Sequence, residues 1–429
     1  MSIYKFPYRY RVLVLLCFLT FITYLDRVCI SLVGVRIKSD FQLSNEQFGW
    51  VLGAFSLAYA LFEIPSGTLG DRIGQRAVFI RIVLWWSVFT ALTGLTSGLF
   101  SLLVVRFLFG VGESGAYPTS SAVISRWFPS AETGRSMSSL FVGQNAGAAI
   151  APLIVIPVAM AFGWRASFLV NGAIGLAWVL ACFLWFKNNP SEMKGMSTEE
   201  KDFIESNRRF TRHQKSFSWK EVLKNRSVLA LVGQMFCSQW AQYFFIAWMP
   251  VYLQEGRHFS ENGMKTITSH FFVVGIVGVL TAGFLSDWTV KRKGLRFSRR
   301  FFGILPLSLL ALAFFIIAVT PNNTVVVICL YLAQLFYSFN PLVSFSTCVD
   351  IGGDRVGTLA GLMNFCGQIG AFLLAIAFGK IADLAHSFST PLFVIAGVVV
   401  MGAVLWVFVD PTNQIVGKKL PTDVPTPGL

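Results

Sequence analysis

Charge is what this chain has least of. Asp, Glu, Lys and Arg make up 13% of its 429 residues while 55% are hydrophobic, against about 25% charged in an ordinary soluble domain. So little charge cannot cover a water-facing surface, which excludes a soluble globular enzyme. Histidine is also scarce: His213, His258, His270 and His386 are all there is. They fall in loops or at helix ends, so they form neither a metal cluster nor a proton relay. The seven cysteines (Cys17, Cys29, Cys182, Cys237, Cys329, Cys348, Cys366) include no C-x-x-C pair. They read as small buried hydrophobes, not as a disulfide framework or metal ligands. No H-E-x-x-H or G-x-S-x-G occurs, so no catalytic set, metal or cofactor is expected. Acids are outnumbered, giving a net charge of +14. The excess lies in short loops and forms no basic domain, which argues against a nucleic-acid partner.

Long apolar runs are what the chain has instead. About 20 apolar residues cross a hydrocarbon core of roughly 30 Å. Stretches of that kind are read at 12–35, 48–70, 77–98, 100–123, 136–160, 165–186, 228–253, 266–286, 301–319, 324–348, 356–382 and 388–408. The fold expected is therefore all-α and integral to the lipid bilayer, with twelve transmembrane helices. The first run is too long for a cleaved signal peptide and lacks a small-residue cleavage site, so it is kept as a helix. With the N-terminus placed inside, most Lys and Arg fall in inner loops, which puts both termini in the cytoplasm. Between the sixth and seventh runs lies a polar linker, 187–226, where Ser197-Thr198-Glu199-Glu200 has the form of a helix start. The expected division is 1–186, a first six-helix bundle; 187–226, linker; 227–410, a second bundle; and 411–429, a tail.

At the inner end of the second run stands Gly67-Thr68-Leu69-Gly70-Asp71-Arg72-Ile73-Gly74-Gln75-Arg76. This string resembles the G-x-L-x-D-R-x-G-x-R signature of the major facilitator superfamily. A decayed copy begins at Gly283 and includes Asp287; Gly67 and Gly283 are 216 positions apart, as are Asp71 and Asp287. Gly134 and Gly357, and Gly147 and Gly370, are each 223 apart. The chain thus reads as two parallel six-helix repeats. Asp71 with Arg72 and Arg76 is expected to form an inner charge latch, with Arg135 and Asp287 as further gating residues.

The charges inside the apolar runs are the functional candidates. Placing one at the bilayer centre costs about 2.5–3.5 kcal/mol on insertion scales, so such residues mark a substrate or ion path or else lock helices together. Asp26 and Arg27 are adjacent, hence about 100° apart on a helix, so one can turn toward the fourth helix. There Arg106 and Glu113, seven residues apart, share a face. Arginine offers a permanently charged fork that fits a carboxylate, which suits Arg27 to an anion. Carboxylates at low dielectric titrate nearer neutral pH, which suits Asp26 and Glu113 to carrying protons. Arg106 is then able to exchange partners between them.

Asp26-Arg27, the Arg106 to Glu113 spacing, Gly112-Glu113-Ser114-Gly115-Ala116-Tyr117-Pro118, Trp127-Phe128-Pro129 and Gly163-Trp164-Arg165 resemble the anion:cation symporter family. That branch of the superfamily holds bacterial galactonate, glucarate and hexuronate transporters and, more distantly, sialin and the vesicular glutamate transporters. The resemblance implies carboxylate binding at Arg27, protonation at Asp26 and Glu113, and polar substrate contacts from Tyr24, Tyr59, Gln144 and Asn364. It also implies a monomer in a bacterial inner membrane that imports an organic anion, such as a sugar acid, with protons. Tyr24 and Tyr59 are equally readable as packing aromatics, and Gln144 and Asn364 as bonds between helices. Gln239 and Gln242 are not distinguished as cavity residues. Glu63, where relatives commonly carry Gln, is read as a gate or inner-end residue in preference to a second proton site.

Overall fold

The structure, a computed structural model, describes residues 6–130, 132–208, 225–352 and 356–413, with the side chains of Thr68 and Asp71 also outside the description. Among these residues it is helical and contains no strand. The chain opens with α1 (Tyr8–Leu32), the short α2 (Gly34–Phe41), α3 (Asn45–Ile73) and α4 (Gln75–Thr93). There follow α5 (Leu99–Glu113), α6 (Ala116–Trp127), α7 (Thr133–Phe162) and α8 (Trp164–Trp185). A surface helix, α9 (Thr198–Asn207), precedes α10 (Arg226–Tyr243), α11 (Glu261–Lys293) and α12 (Leu295–Val319). The last are α13 (Asn323–Tyr337), α14 (Phe339–Gly352), α15 (Val356–Ala385) and α16 (Thr390–Leu405).

Eleven stretches of the described residues are long and apolar enough to cross a membrane; α5 with α6, and α13 with α14, each count as one. The remaining expected run, 228–253, is built differently. It is α10, then a π-helical turn over Phe244–Trp248, three α-helical residues Met249–Val251, and a second π-turn over Tyr252–Gly256. Pro250 has no N–H to give to an α-helical ladder, and Gln234, Gln239 and Gln242 make the run less apolar than its neighbours. The described residues thus form an all-α fold built on apolar helices of bilayer length.

The chain forms two compact units. One comprises Met1–Phe210 with Ile246–Val273, the other Thr211–Phe245 with Val274–Leu429. Each is closed by the same device, in which a glycine of a long helix meets the backbone of the helix that opens the unit. A Cβ at Gly147 on α7 would fall on the carbonyl oxygen of Phe21 on α1; a Cβ at Gly370 on α15 would fall on that of Phe236 on α10. Small residues at such crossings let two helices gain dispersion contact where lipid supplies no hydrophobic drive. Gly110 does the same for α5 against Phe55 of α3. The first unit's apolar core runs through Leu16, Phe55, Phe79, Trp86, Phe109, Trp127 and Trp178.

The linker helix forms as its cap predicts: the Ser197 side chain accepts from Glu200 N at 3.2 Å. Glu200 in turn accepts from the backbone N–H of Tyr8 and Arg9, at 3.1 and 3.2 Å. These are orphan donors of α1's first turn, and an anion there also suits the helix dipole. Residues 209–224 of the expected linker and 414–429 of the expected tail lie outside the described residues.

Candidate functional site

Within the first unit, α1 and α5 bring together the four buried charges singled out in the sequence. Arg27 Nε lies 2.5 Å from Glu113 Oε1, and the Glu113 side chain is wholly buried. The guanidinium also lies 5.0, 5.0 and 4.9 Å from the ring centres of Tyr24, Phe55 and Tyr59. Aromatic faces attract a cation while excluding water, so Arg27 is held by one carboxylate and a cage of rings. The second oxygen of Glu113 has no hydrogen-bond partner among the described residues. The carboxylate is therefore paired through one edge only.

Asp26 turns the other way, as adjacent helical positions require. It is 1% exposed, and neither of its carboxylate oxygens has a hydrogen-bond partner among the described residues. The nearby charges of Glu113 and Arg106 and the hydroxyl of Thr90 on α4 bear on it. Arg106, itself buried, lies 4.5 Å from the ring centre of Phe109 and 5.5 Å from that of Phe55. Phe55 thus presents its ring to both guanidinium groups. A buried carboxylate without hydrogen bonds is costly when ionised, and protonation relieves it. This arrangement is chemically able to take up and release protons and, once Glu113 lets go, to offer a guanidinium fork to an anion.

The expected polar contacts divide between the units. Tyr24 and Tyr59 flank Arg27 in the first unit and are buried. Gln144, on α7, accepts a very short hydrogen bond from the hydroxyl of Tyr117 on α6, so it does bond between helices, with a partner beside the charged site. Tyr117 feels the charges of Arg27 and Glu113. It was not selected from the sequence, although its place in the Glu113 to Pro118 string was an available signal. Phe55 was also missed, since no motif residue stands beside it. Glu63 is buried on α3 close enough to Tyr59 to act on its hydroxyl. In the second unit, Asn364 stands half-buried on α15 and Gln242 half-buried on α10. Gln239 is buried and accepts from Tyr337 at 3.3 Å.

The expected gating residues are placed less uniformly. The side chain of Asp71 lies outside the described residues. Arg72 is exposed. Arg76 points to α8, giving its side-chain N–H to Phe183 O at 2.5 Å and its backbone N–H to Asn188 Oδ1 at 2.8 Å. Asn188 packs against Gly74, whose φ of +84° makes the turn between α3 and α4. Arg135 and Asp287 are exposed, and neither forms an ion pair among the described residues. The ion pair found beside Asp287 in the second unit uses other residues: Arg299 Nε lies 2.8 Å from Asp350 Oδ2, and Arg299 Nη1 donates to Ser286 Oγ at 3.0 Å. Arg299 and Asp350 are 51 positions apart with no motif joining them, so nothing in the sequence pattern pairs them.

Three comparisons bear on identity. The chain is 31% identical over 408 residues to a probable sulfoacetate transporter of Cupriavidus necator, covering 94% of each. It is 29% identical over 413 residues to the hexuronate transporter of Bacillus subtilis, covering 95% of each. Among solved structures it is similar to a bacterial homolog of the human lysosomal transporter Spinster, with a TM-score of 0.76 at 18% identity, over 94% of this chain and 97% of that one. The last likeness concerns the fold alone. With residues 16–375 matching the Major Facilitator Superfamily, the chain belongs to that superfamily of membrane transporters and is not an enzyme.

Proposed function

We propose that the chain is a proton-coupled symporter that imports a small organic anion, most simply a sugar acid such as an aldonate, aldarate or hexuronate. The observation that carries this reading is the buried Arg27–Glu113 pair, with Glu113 bonded through one oxygen. Protonation of Glu113 removes the charge that holds the guanidinium, and the freed fork takes the substrate carboxylate. Protonation of Asp26 lets Arg106 turn to whichever acid remains ionised. Tyr24, Tyr59, Gln144 and Asn364, joined by Tyr117, supply neutral groups for substrate hydroxyls. When the protons leave on the inner side the pair re-forms and expels the anion, so uptake follows the proton gradient.

This reading places a monomer in a bacterial inner membrane with both termini in the cytoplasm. The halves are 1–186 and 227–410, and Asp71, Arg72, Arg76, Arg135 and Asp287 serve the inner gate. The name of the Cupriavidus relative supports a second reading, in which the anion is a small sulfonate held by the same guanidinium. Uptake into proteoliposomes of galactonate, gluconate, glucarate, glucuronate, galacturonate, an aromatic carboxylate and sulfoacetate, with and without an inward proton gradient, tests both. Gradient-driven accumulation of a sugar acid is the expected result. A sodium requirement would overturn the coupling ion, and uptake restricted to neutral or cationic solutes would overturn the role of Arg27.

A further inference from the structure

Asp26 is buried, yet it lies near the end of its helix: six residues, about 9 Å, separate it from Leu32, where α1 stops. The hydroxyl of Thr90 on α4 bears on its carboxylate, and Thr90 stands three residues before α4 ends at Thr93. Hydroxyls recur there at every third position, Ser87, Thr90, Thr93 and Thr96. All four are buried, and Ser97 beyond them is exposed. Thr93 Oγ1 donates to Phe89 O at 2.9 Å and Thr96 Oγ1 to Thr93 O at 2.8 Å, so each hydroxyl oxygen keeps lone pairs for a further donor.

Ser87 is the innermost of the row. It is pressed against α8, where a Cβ on Gly175 would collide with its Oγ and one on Gly172 would stand 2.8 Å from its carbonyl oxygen. Asn171, next to Gly172, is wholly buried. Among the described residues, the side-chain polar atoms of Asp26, Ser87, Thr90 and Asn171 have no hydrogen-bond partner. Buried polar groups of this kind are met by ordered water. Further along, the buried face of α4 is Val78, Phe79, Ile82, Val83 and Trp86, which offers no side-chain acceptor. The hydroxyl row therefore leads from Asp26 to one end of α4 only, the outer end in the topology proposed above.

We propose that Asp26 takes its proton from the outer side along this row, through Thr96, Thr93 and Thr90, and not past Arg27, where the anion is held. The proposal rests on the reading of Asp26 as a proton carrier and gives that carrier its own entrance. Successive hydroxyls rise about 4.5 Å along the helix, too far for a direct hydrogen bond, so one water between each pair completes the relay. Each hydroxyl hands on one proton as it takes one. One proton leaves the outer water, one reaches the carboxylate, and nothing else is consumed. A proton arriving by way of Arg27 would meet a guanidinium of like charge inside a cage of three rings.

The ionisable groups facing Asp26 are Arg106 and Glu113 of α5 and the Cys29 thiol on its own helix. Those of the other helices packed on α1 are remote. Arg76 and Arg81 lie toward the opposite end of α4, Arg126 ends α6, Arg135 opens α7, and Arg165 is held by Asp40 at the start of α8. None of them stands along the hydroxyl row.

The test follows the carboxylic-acid C=O band of Asp26 by time-resolved infrared spectroscopy, in oriented proteoliposomes without substrate, after a drop in external pH. The band is identified by its loss in Asp26→Asn. Thr93→Val, which keeps the side chain's shape and removes the hydroxyl, should slow the rise of the band at least fivefold, and Thr93→Ser should restore the parent rate. Thr96→Val, nearer the surface and away from the charged site, should repeat the slowing. A rise at the parent rate in both valine variants, or a slow rise that Thr93→Ser does not restore, overturns the path. If no band disappears in Asp26→Asn, the reading of Asp26 as a proton carrier is itself overturned, so the two failures are distinguishable.

Discussion

The two units share a packing device and differ in chemistry. Gly147 against Phe21 and Gly370 against Phe236 seat equivalent helices by the same backbone approach. Yet where α1 carries Asp26 and Arg27, the positions 216 residues on, in α10, hold Gln242 and Tyr243. One unit brings Asp26, Arg27, Arg106 and Glu113 together at one site, where they sum to zero charge; the other offers amides and hydroxyls at the matching place, with Gln239 bonded to Tyr337. Repetition preserved what backbones need to pack, while the Asp26–Arg27 pair has no charged counterpart at the matching place in the other unit. A single charged half is sufficient if the anion is gripped there and recognised by neutral groups elsewhere.

The sharpest way to break this asymmetry is Arg27→Ala. It should abolish anion binding, read by calorimetry. It should also destabilise the protein by about 3–5 kcal/mol, because Glu113 is left as an unpaired buried charge; Tyr243→Phe at the matching place, which keeps the buried ring, should leave anion binding intact. Gly147→Ala and Gly370→Ala probe what the units share. Each should lower the melting temperature by a similar amount, from a loss of about 1–3 kcal/mol of packing energy; a loss confined to one of them would end the equivalence. Tyr117→Phe is milder. It removes one hydrogen bond, worth about 1 kcal/mol, and should raise KM several-fold with little change in maximal uptake.

The smallest effect is expected at the exposed pair Arg165–Asp40, 2.7 Å apart. The hydrogen bond from Arg165 holds the Asp40 carboxyl below its usual range. Its contribution is thus present above the ordinary carboxylate pKa of about 3.9 and is lost as the pH falls through the lowered value. A slight fall in melting temperature on acidification through that window, absent in Asp40→Asn, would check the sign.

The fold was legible because hydrophobic runs of bilayer length and a ten-residue motif are local properties of a sequence. The charged site was legible for a similar reason. Helical geometry alone separates Asp26 from Arg27 by a quarter turn and aligns Arg106 with Glu113, and the structure places them so. What escaped depends on contacts between distant segments. Phe55 and Tyr117 matter because of what surrounds them, not because of any neighbour in sequence. Arg299 and Asp350 come from different helices with no shared pattern. The π-turns after Tyr243 bracket Pro250, a local feature, but nothing in the composition of 246–273 shows that it leaves the unit on either side of it.

The central claim is that protonation of Glu113 releases Arg27 for the anion. Its most direct test is Glu113→Gln in proteoliposomes, measuring counterflow exchange of a transported sugar acid and proton-driven accumulation in the same preparation. The account predicts that exchange persists, since the neutral amide mimics the protonated acid, while accumulation driven by the gradient is lost. Normal accumulation by Glu113→Gln would contradict it.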